Sequence, residues 1–128
     1  MSSMTEALTF TDWISRHFTT HDRRAACLCL LASRLPDLGD KFTESGALEA
    51  GGYINWESLW RNAYLSSTEA LLTKVVEGVW LEREIAINFR VLARLDDRQF
   101  ALAVDLLRVS RGLPAEEFAR TAPGTGCL

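Results

Sequence analysis

The sequence predicts an all-α protein, a compact bundle of five to seven helices with a long glycine-containing connection near residues 37–52. Three observations predict this fold class. Apolar residues recur at helical spacing along the 128-residue chain, helix-capping residues precede these stretches, and no pair of alternating strands with a hairpin turn is present. Because the length and the 48% hydrophobic content are those of one globular domain, we expect a helical domain over 9–120, a flexible N-terminus over 1–8 and a disordered tail over 121–128.

The first predicted helix covers residues 9–18. Thr9 can cap its N-terminus, and Asp12 in the first turn complements the positive end of the helix dipole. The apolar residues that share one face at helical spacing are Phe10, Trp13, Ile14 and Phe18. This face is expected in the core.

The second predicted helix begins after a cap at Thr19 or Thr20 and ends before Pro36, which cannot continue a helix. Between these limits, residues 25–32 are apolar at every position. Two helical turns without a polar face are typical of a helix in the middle of a core.

Residues 37–52 contain four glycines and show only weak periodicity, which predicts a long irregular connection. After it, Asn55 can cap a short helix. Ser66 and Glu69 then have the spacing of a capping box for a longer helix that runs to about Trp80.

The helix that starts at Ser66 has apolar residues over about half of its circumference. Its opposite side carries Thr73, Lys74 and Glu77, which are predicted to face solvent. We therefore expect this helix to pack on one side only.

The strongest helical pattern covers residues 95–114 and follows a short helix that Asn88 can cap. Asp96 and Gln99 have capping-box spacing, and Gly112 can adopt the left-handed conformation that ends a helix. Two apolar stripes lie on opposite sides: Phe100, Ala103, Val104 and Leu107 on one, Leu102, Leu106 and Val109 on the other. Since an outer helix of a monomer needs one stripe, this helix is either central in its bundle or shared with a partner.

Charge and cysteine content bound the classes of function. The net charge of −3 argues against a protein that binds nucleic acid with its whole surface. No apolar run is long enough to span a bilayer, and the first residues lack the pattern of a signal peptide. With an odd count of three cysteines, two of them in an apolar run, the sequence predicts a cytoplasmic protein with reduced thiols and no membrane partner.

Four aromatic residues follow one another at helical spacing: Tyr53, Trp56, Trp60 and Tyr64. Such a stripe can belong to the core, anchor a protein partner, or stack on nucleobases or sugars. The sequence leaves these three interpretations open.

Apolar helix surface exceeds what one core needs, because residues 25–32 are apolar all round and the last long helix is apolar on two sides. This surplus predicts a non-enzymatic protein that binds another protein, as an inhibitor, an immunity protein or an adaptor does, and that can form a homodimer. The residues predicted at the interface are Trp56, Trp60, Tyr64, Leu102, Leu106 and Val109.

An alternative function involves Arg16 and His21. The segment that contains them resembles the R-x4-6-H motif of HEPN ribonucleases, a helical and often dimeric family. The resemblance implies that Arg16 stabilises charge on the scissile phosphate and that His21 transfers a proton. The same residues also fit a solvated turn between two helices.

A second alternative is a helical module that binds nucleic acid through Arg90, Arg94 and Arg98. These residues repeat every four positions and on one continuous helix would form a basic ridge. Asp96 and Asp97 offset this charge and can cap the next helix, which would break the ridge. A solvated face is the competing interpretation.

Metal-ligating residue types also lie close together in the sequence, but their geometry is poor. His17 and His21 are four residues apart, whereas Cys27 and Cys29 project about 200° apart on a helix. We therefore predict no metal and no cofactor, and expect both cysteines to be buried thiols.

Overall fold

The computed structural model describes residues 9–19 and 22–112, and these residues form seven α-helices. The helices are α1 (Phe10–His17), α2 (Arg23–Arg34), α3 (Pro36–Glu44), α4 (Trp56–Asn62), α5 (Ser67–Leu81), α6 (Phe89–Ala93) and α7 (Asp97–Ser110). This part of the chain contains no strand, only an isolated bridge between Leu48 and Ile54. The predicted all-helical bundle of five to seven helices is confirmed.

Local capping explains where most of the helices begin. In α1, α5 and α7 the capping side chain accepts a hydrogen bond from the backbone N–H three residues later, and that residue's side chain accepts from the cap N–H in return. The pairs are Thr9 with Asp12, Ser66 with Glu69, and Asp96 with Gln99. Asn55 and Asn88 cap α4 and α6, and Gly112, with φ +105°, follows the end of α7. These starts and this end are confirmed.

The start of α2 differs from the prediction. Asp22 is its N-cap, and one carboxylate oxygen accepts from the N–H of Arg24 at 2.9 Å and from that of Ala25 at 3.2 Å. Partial burial raises the pKa of Asp22, but the hydrogen bonds from Arg24 and the backbone outweigh it and hold that pKa below the usual 3.8. A carboxylate that accepts two N–H groups satisfies the helix end, so the predicted cap at Thr19 or Thr20 is wrong.

The central helix of the fold is α2. Residues 25–31 are all buried, as predicted, and α2 packs on α3, α5 and α7. Arg34 pairs with Asp105 at 3.0 Å, while the Arg23 guanidinium donates to the Ser110 carbonyl at 3.3 Å. The C-terminal end of α2 therefore lies beside the middle of α7 and its N-terminal end beside the C-terminus of α7, so the two helices are antiparallel.

Half of the predicted long connection over residues 37–52 is helical, because it contains most of α3. Pro36 both ends α2 and occupies the first turn of α3, where its fixed φ and missing N–H are tolerated. One side of α3 is buried through Leu38 and Phe42, and Gly39 lies close to the ring of Phe10. The irregular part is thus only 45–55, not 37–52.

An ion pair fastens α3 to α5. The Lys41 ammonium lies 2.7 Å from a carboxylate oxygen of Glu69, which also takes part in the capping box of α5. Burial raises the pKa of Glu69, but hydrogen bonds from Lys41 and Ser66 outweigh this effect, so the pKa lies below the usual 4.5.

Several predictions fall on residues outside the described ranges: the flexible segment 1–8, the end of the helical domain over 113–120, the tail 121–128 and the role of His21. Within residues 9–19 and 22–112, none of the helices combines the length and the apolar character needed to cross a membrane.

Candidate protein-binding face

The second apolar stripe of α7 lies in the core. Leu102, Leu106 and Val109 are almost completely buried in the same hydrophobic cluster as α2 and α5. The thiol of Cys27 on α2 lies 3.7 Å from the Leu106 carbonyl, which shows how closely the two helices approach. Because these three side chains already pack within the chain, the prediction that they face a partner is corrected.

The opposite stripe of α7 is exposed only in part, because Ala103 is buried in the core whereas the other three residues reach the surface. Phe100 is 49% exposed and Leu107 is 54% exposed, with the half-buried Val104 between them. We call these three residues the α7 outer face. Since α7 buries one stripe and leaves the large residues of the other at the surface, it is not the central helix of the bundle.

Charged residues stand at both ends of the α7 outer face. Asp97 is the first residue of α7, and Arg111 is its C-cap; both are exposed. From Asp97 to Arg111 the spacing alternates between three and four residues, which keeps both charges on the same stripe as Phe100, Val104 and Leu107. The face is therefore apolar in its middle, acidic at one end and basic at the other.

The predicted aromatic stripe does not form a single face. Trp56 is buried, with ring centroids 5.9 Å from Phe42 and 6.4 Å from Trp80, both in edge-on geometry. Tyr53 precedes α4 and Tyr64 follows it, and both are exposed. Trp56 is therefore a core residue, which corrects its assignment to an interface, whereas Tyr64 remains accessible.

Trp60 belongs to a polar cluster around the buried carboxylate of Glu77 that sequence reasoning missed. Its indole N–H donates to Glu77 at 3.2 Å, and the carboxylate of Glu77 is almost completely buried. Lys74 lies 3.3 Å from this carboxylate and 4.7 Å from the centroid of the Trp60 ring, and Arg83 reaches its other oxygen at 3.3 Å. The prediction that Glu77 faces solvent is wrong, because one N–H and two cations compensate its desolvation.

Thr73, one turn before Glu77 on α5, is also buried rather than solvent-facing, and no hydrogen-bond partner for its hydroxyl is present among the described residues. For Glu77 the cause is the Trp60 side chain of α4, which lies on the side of α5 that looks polar in the sequence.

A groove of about 280 Å³ lies beside this cluster, between α5 and α6. Leu71, Ile87 and Val91 are among its apolar lining residues, and Lys74 is its cation. Because Lys74 already engages Glu77 and Trp60, the groove offers mainly apolar contacts.

Arg16 is exposed in the last turn of α1, which ends one residue later at His17. His21 lies outside the described residues. The imidazole of His17 instead packs against aromatic rings, with its centroid 5.4 Å from Trp13 and 6.5 Å from Phe18. The resemblance to the HEPN motif therefore stays a prediction.

The three arginines of the predicted basic ridge do not share a helix. Arg90 is in α6, Arg94 is the C-cap of α6, and Arg98 is in the first turn of α7, after the N-cap Asp96. All three are exposed. A helix end interrupts the ridge, as the capping signals indicated.

Cys27 and Cys29 are buried thiols that form no disulfide within the described residues. Burial raises the pKa of Cys27 to about 12, although the charge of Arg23 acts in the opposite direction. In residues 9–19 and 22–112 no cluster of three or more His, Cys, Asp or Glu side chains is arranged to hold a metal ion.

Comparison with protein families, curated proteins and solved structures found no match for this chain.

Proposed function

We propose that this protein is a non-enzymatic binding protein that docks on another protein, or on a second copy of itself, through the α7 outer face. The observation that carries the proposal is the pair Phe100 and Leu107, each about half exposed on a helix whose other stripe is core. Large apolar side chains grouped on one rigid helix face are typical of interaction surfaces.

The chemistry of the face supports this proposal. A central aromatic side chain such as Phe100 can fill a pocket of a partner, and covering it together with Leu107 removes apolar area from water at about 25 cal/mol per Å². Arg108 and Arg111 lie beside Leu107, and arginine is the cation enriched at protein interfaces. The face thus combines apolar anchors with a charged rim.

The class of protein proposed is that of small inhibitors, immunity proteins and adaptors, which act by occupying a partner's surface. A cytoplasmic location is part of the proposal, and the reduced thiols Cys27 and Cys29 support it. Neither alternative function gains a supporting contact: Arg16 stands at a helix end, and the arginine ridge is interrupted.

Site-specific photo-crosslinking in cells tests the proposal. A photoreactive amino acid replaces Leu107 in one variant and Leu81, a 39% exposed leucine on α5, in the matched control. We expect a discrete protein adduct from position 107 that is absent from position 81 and that disappears when Phe100→Asp is added. The same adducts from both positions, or none from position 107, would overturn the proposal.

A further inference from the structure

The two ends of the α7 outer face carry opposite charges that have no partner in the described chain. Asp97 and Arg111 are both exposed, and no ion pair among residues 9–19 and 22–112 involves either of them. Any surface that covers this face has to meet a negative charge at one end and a positive charge at the other.

The arrangement is symmetric about the middle of the helix. Val104 lies seven residues from Asp97 and seven from Arg111, and the large apolar residues Phe100 and Leu107 stand on either side of it. At 1.5 Å per residue the two charges are about 21 Å apart along the axis. A second α7, turned end for end, therefore presents the complementary charges at the same separation.

We propose that the partner of the α7 outer face is a second copy of this chain, paired antiparallel across a two-fold axis near Val104. This inference rests on the proposed function of that face. In this pairing Asp97 of each copy lies near Arg111 of the other copy, and the apolar residues of both helices meet between them. A parallel pair would instead place like charges together at both ends, so the charges select the antiparallel arrangement.

A second copy can cover this face without any other partner surface, because a two-fold axis brings the same patch of both copies together. One helix face and its neighbours form a contact at the small end of the range for specific interfaces. We therefore expect a dimer with a dissociation constant in the micromolar range.

Sedimentation equilibrium of the full chain between about 1 and 200 µM tests the dimer. We expect the mass to rise from 14.3 kDa towards twice that value over this range. Leu107→Asp should weaken the dimer at least about 100-fold, whereas the control Leu81→Asp should leave the dissociation constant within about twofold. A monomer at all concentrations, or equal effects of both substitutions, overturns the pairing.

A charge swap tests the orientation. Asp97→Arg or Arg111→Asp alone turns two attractions per dimer into repulsions and should weaken it roughly tenfold, while the double variant should return to within about threefold of the original. Circular dichroism checks that each variant is folded. Failure of the double variant to recover, while folded, contradicts the antiparallel arrangement.

These outcomes separate the inference from the proposed function. A chain that stays monomeric while position 107 crosslinks to a different protein removes the second copy as partner and leaves the binding function standing. If neither Leu107→Asp nor the charge swap changes the dissociation constant of the dimer, the dimer forms through another surface and the inference is overturned.

Discussion

Two neighbouring leucines of α7 give the sharpest test of which stripe faces the core. Leu106 is 0% exposed and Leu107 is 54% exposed, although the two differ by one position in the sequence. Leu106→Ala removes three buried carbons, which at about 0.8 kcal/mol each amounts to about 2.4 kcal/mol of transfer free energy. The cavity left between α2 and α7 adds to this, so we expect a loss of about 3 to 4 kcal/mol in the free energy of unfolding.

Leu107→Ala should cost much less. About half of its side chain stays in water in the folded state, so the transfer contribution is at most about 1 kcal/mol, and no closed cavity forms. Alanine is also a slightly better helix former, which offsets part of this loss. We expect a net change below about 1 kcal/mol.

Urea unfolding followed by tryptophan fluorescence and circular dichroism measures both variants, at about 1 µM protein so that association through the α7 outer face contributes little. Leu102→Ala serves as a second core control, because Leu102 is as well buried as Leu106. Equal losses for Leu106→Ala and Leu107→Ala, or a larger loss for Leu107→Ala, would refute the assigned rotation of α7 about its axis.

Three further predictions concern other contacts of the fold. Gly78→Ala should lower the free energy of unfolding despite the better helix propensity of alanine, since the new Cβ would lie 3.0 Å from Cγ2 of Ile85. In an Ile85→Ala background the same substitution should instead stabilise the protein by about 0.5 to 1 kcal/mol in urea titrations. Glu69→Gln can keep the capping box but loses the ion pair with Lys41, so it should cost about 1 kcal/mol at pH 7. Because the folded pKa of Glu69 lies below 4.5, this difference in stability should shrink as the pH falls below 4.5, and a difference that grows in acid would contradict the ion pair. Burial raises the pKa of Cys27 to about 12, so at pH 8 its rate of reaction with a thiol reagent should be limited by the rate at which the protein unfolds locally. Labelling of Cys27 as fast as in an unfolded control would show that this thiol is not buried.

Local interactions explain what the sequence predicted well. Thr9, Ser66 and Asp96 start helices because each satisfies an N–H three residues away, whatever the rest of the chain does. The central position of α2 was predictable for a similar reason, since residues 25–31 offer no polar side to solvent.

Contacts between segments that are distant in the sequence decided the features of the fold that the sequence did not predict. Pro36 was predicted to end a helix, but only the packing of Leu38 and Phe42 shows that it also starts one. Glu77 looks like a surface carboxylate until α4 places the Trp60 indole N–H within 3.2 Å of it. For Pro36 the deciding contacts are those that the buried side chains of α3 make with other helices, and for Glu77 the deciding atom lies on α4.

The candidate binding face shows the same division most clearly. The sequence by itself determined that α7 has two opposed apolar stripes, because the 3.6-residue period places every side chain around the helix axis. It did not determine which stripe is buried, since both are apolar enough to fill a core. Only the tertiary structure decided this, by packing α2 and α5 against Leu102 and Leu106, and it thereby left Phe100 and Leu107 at the surface.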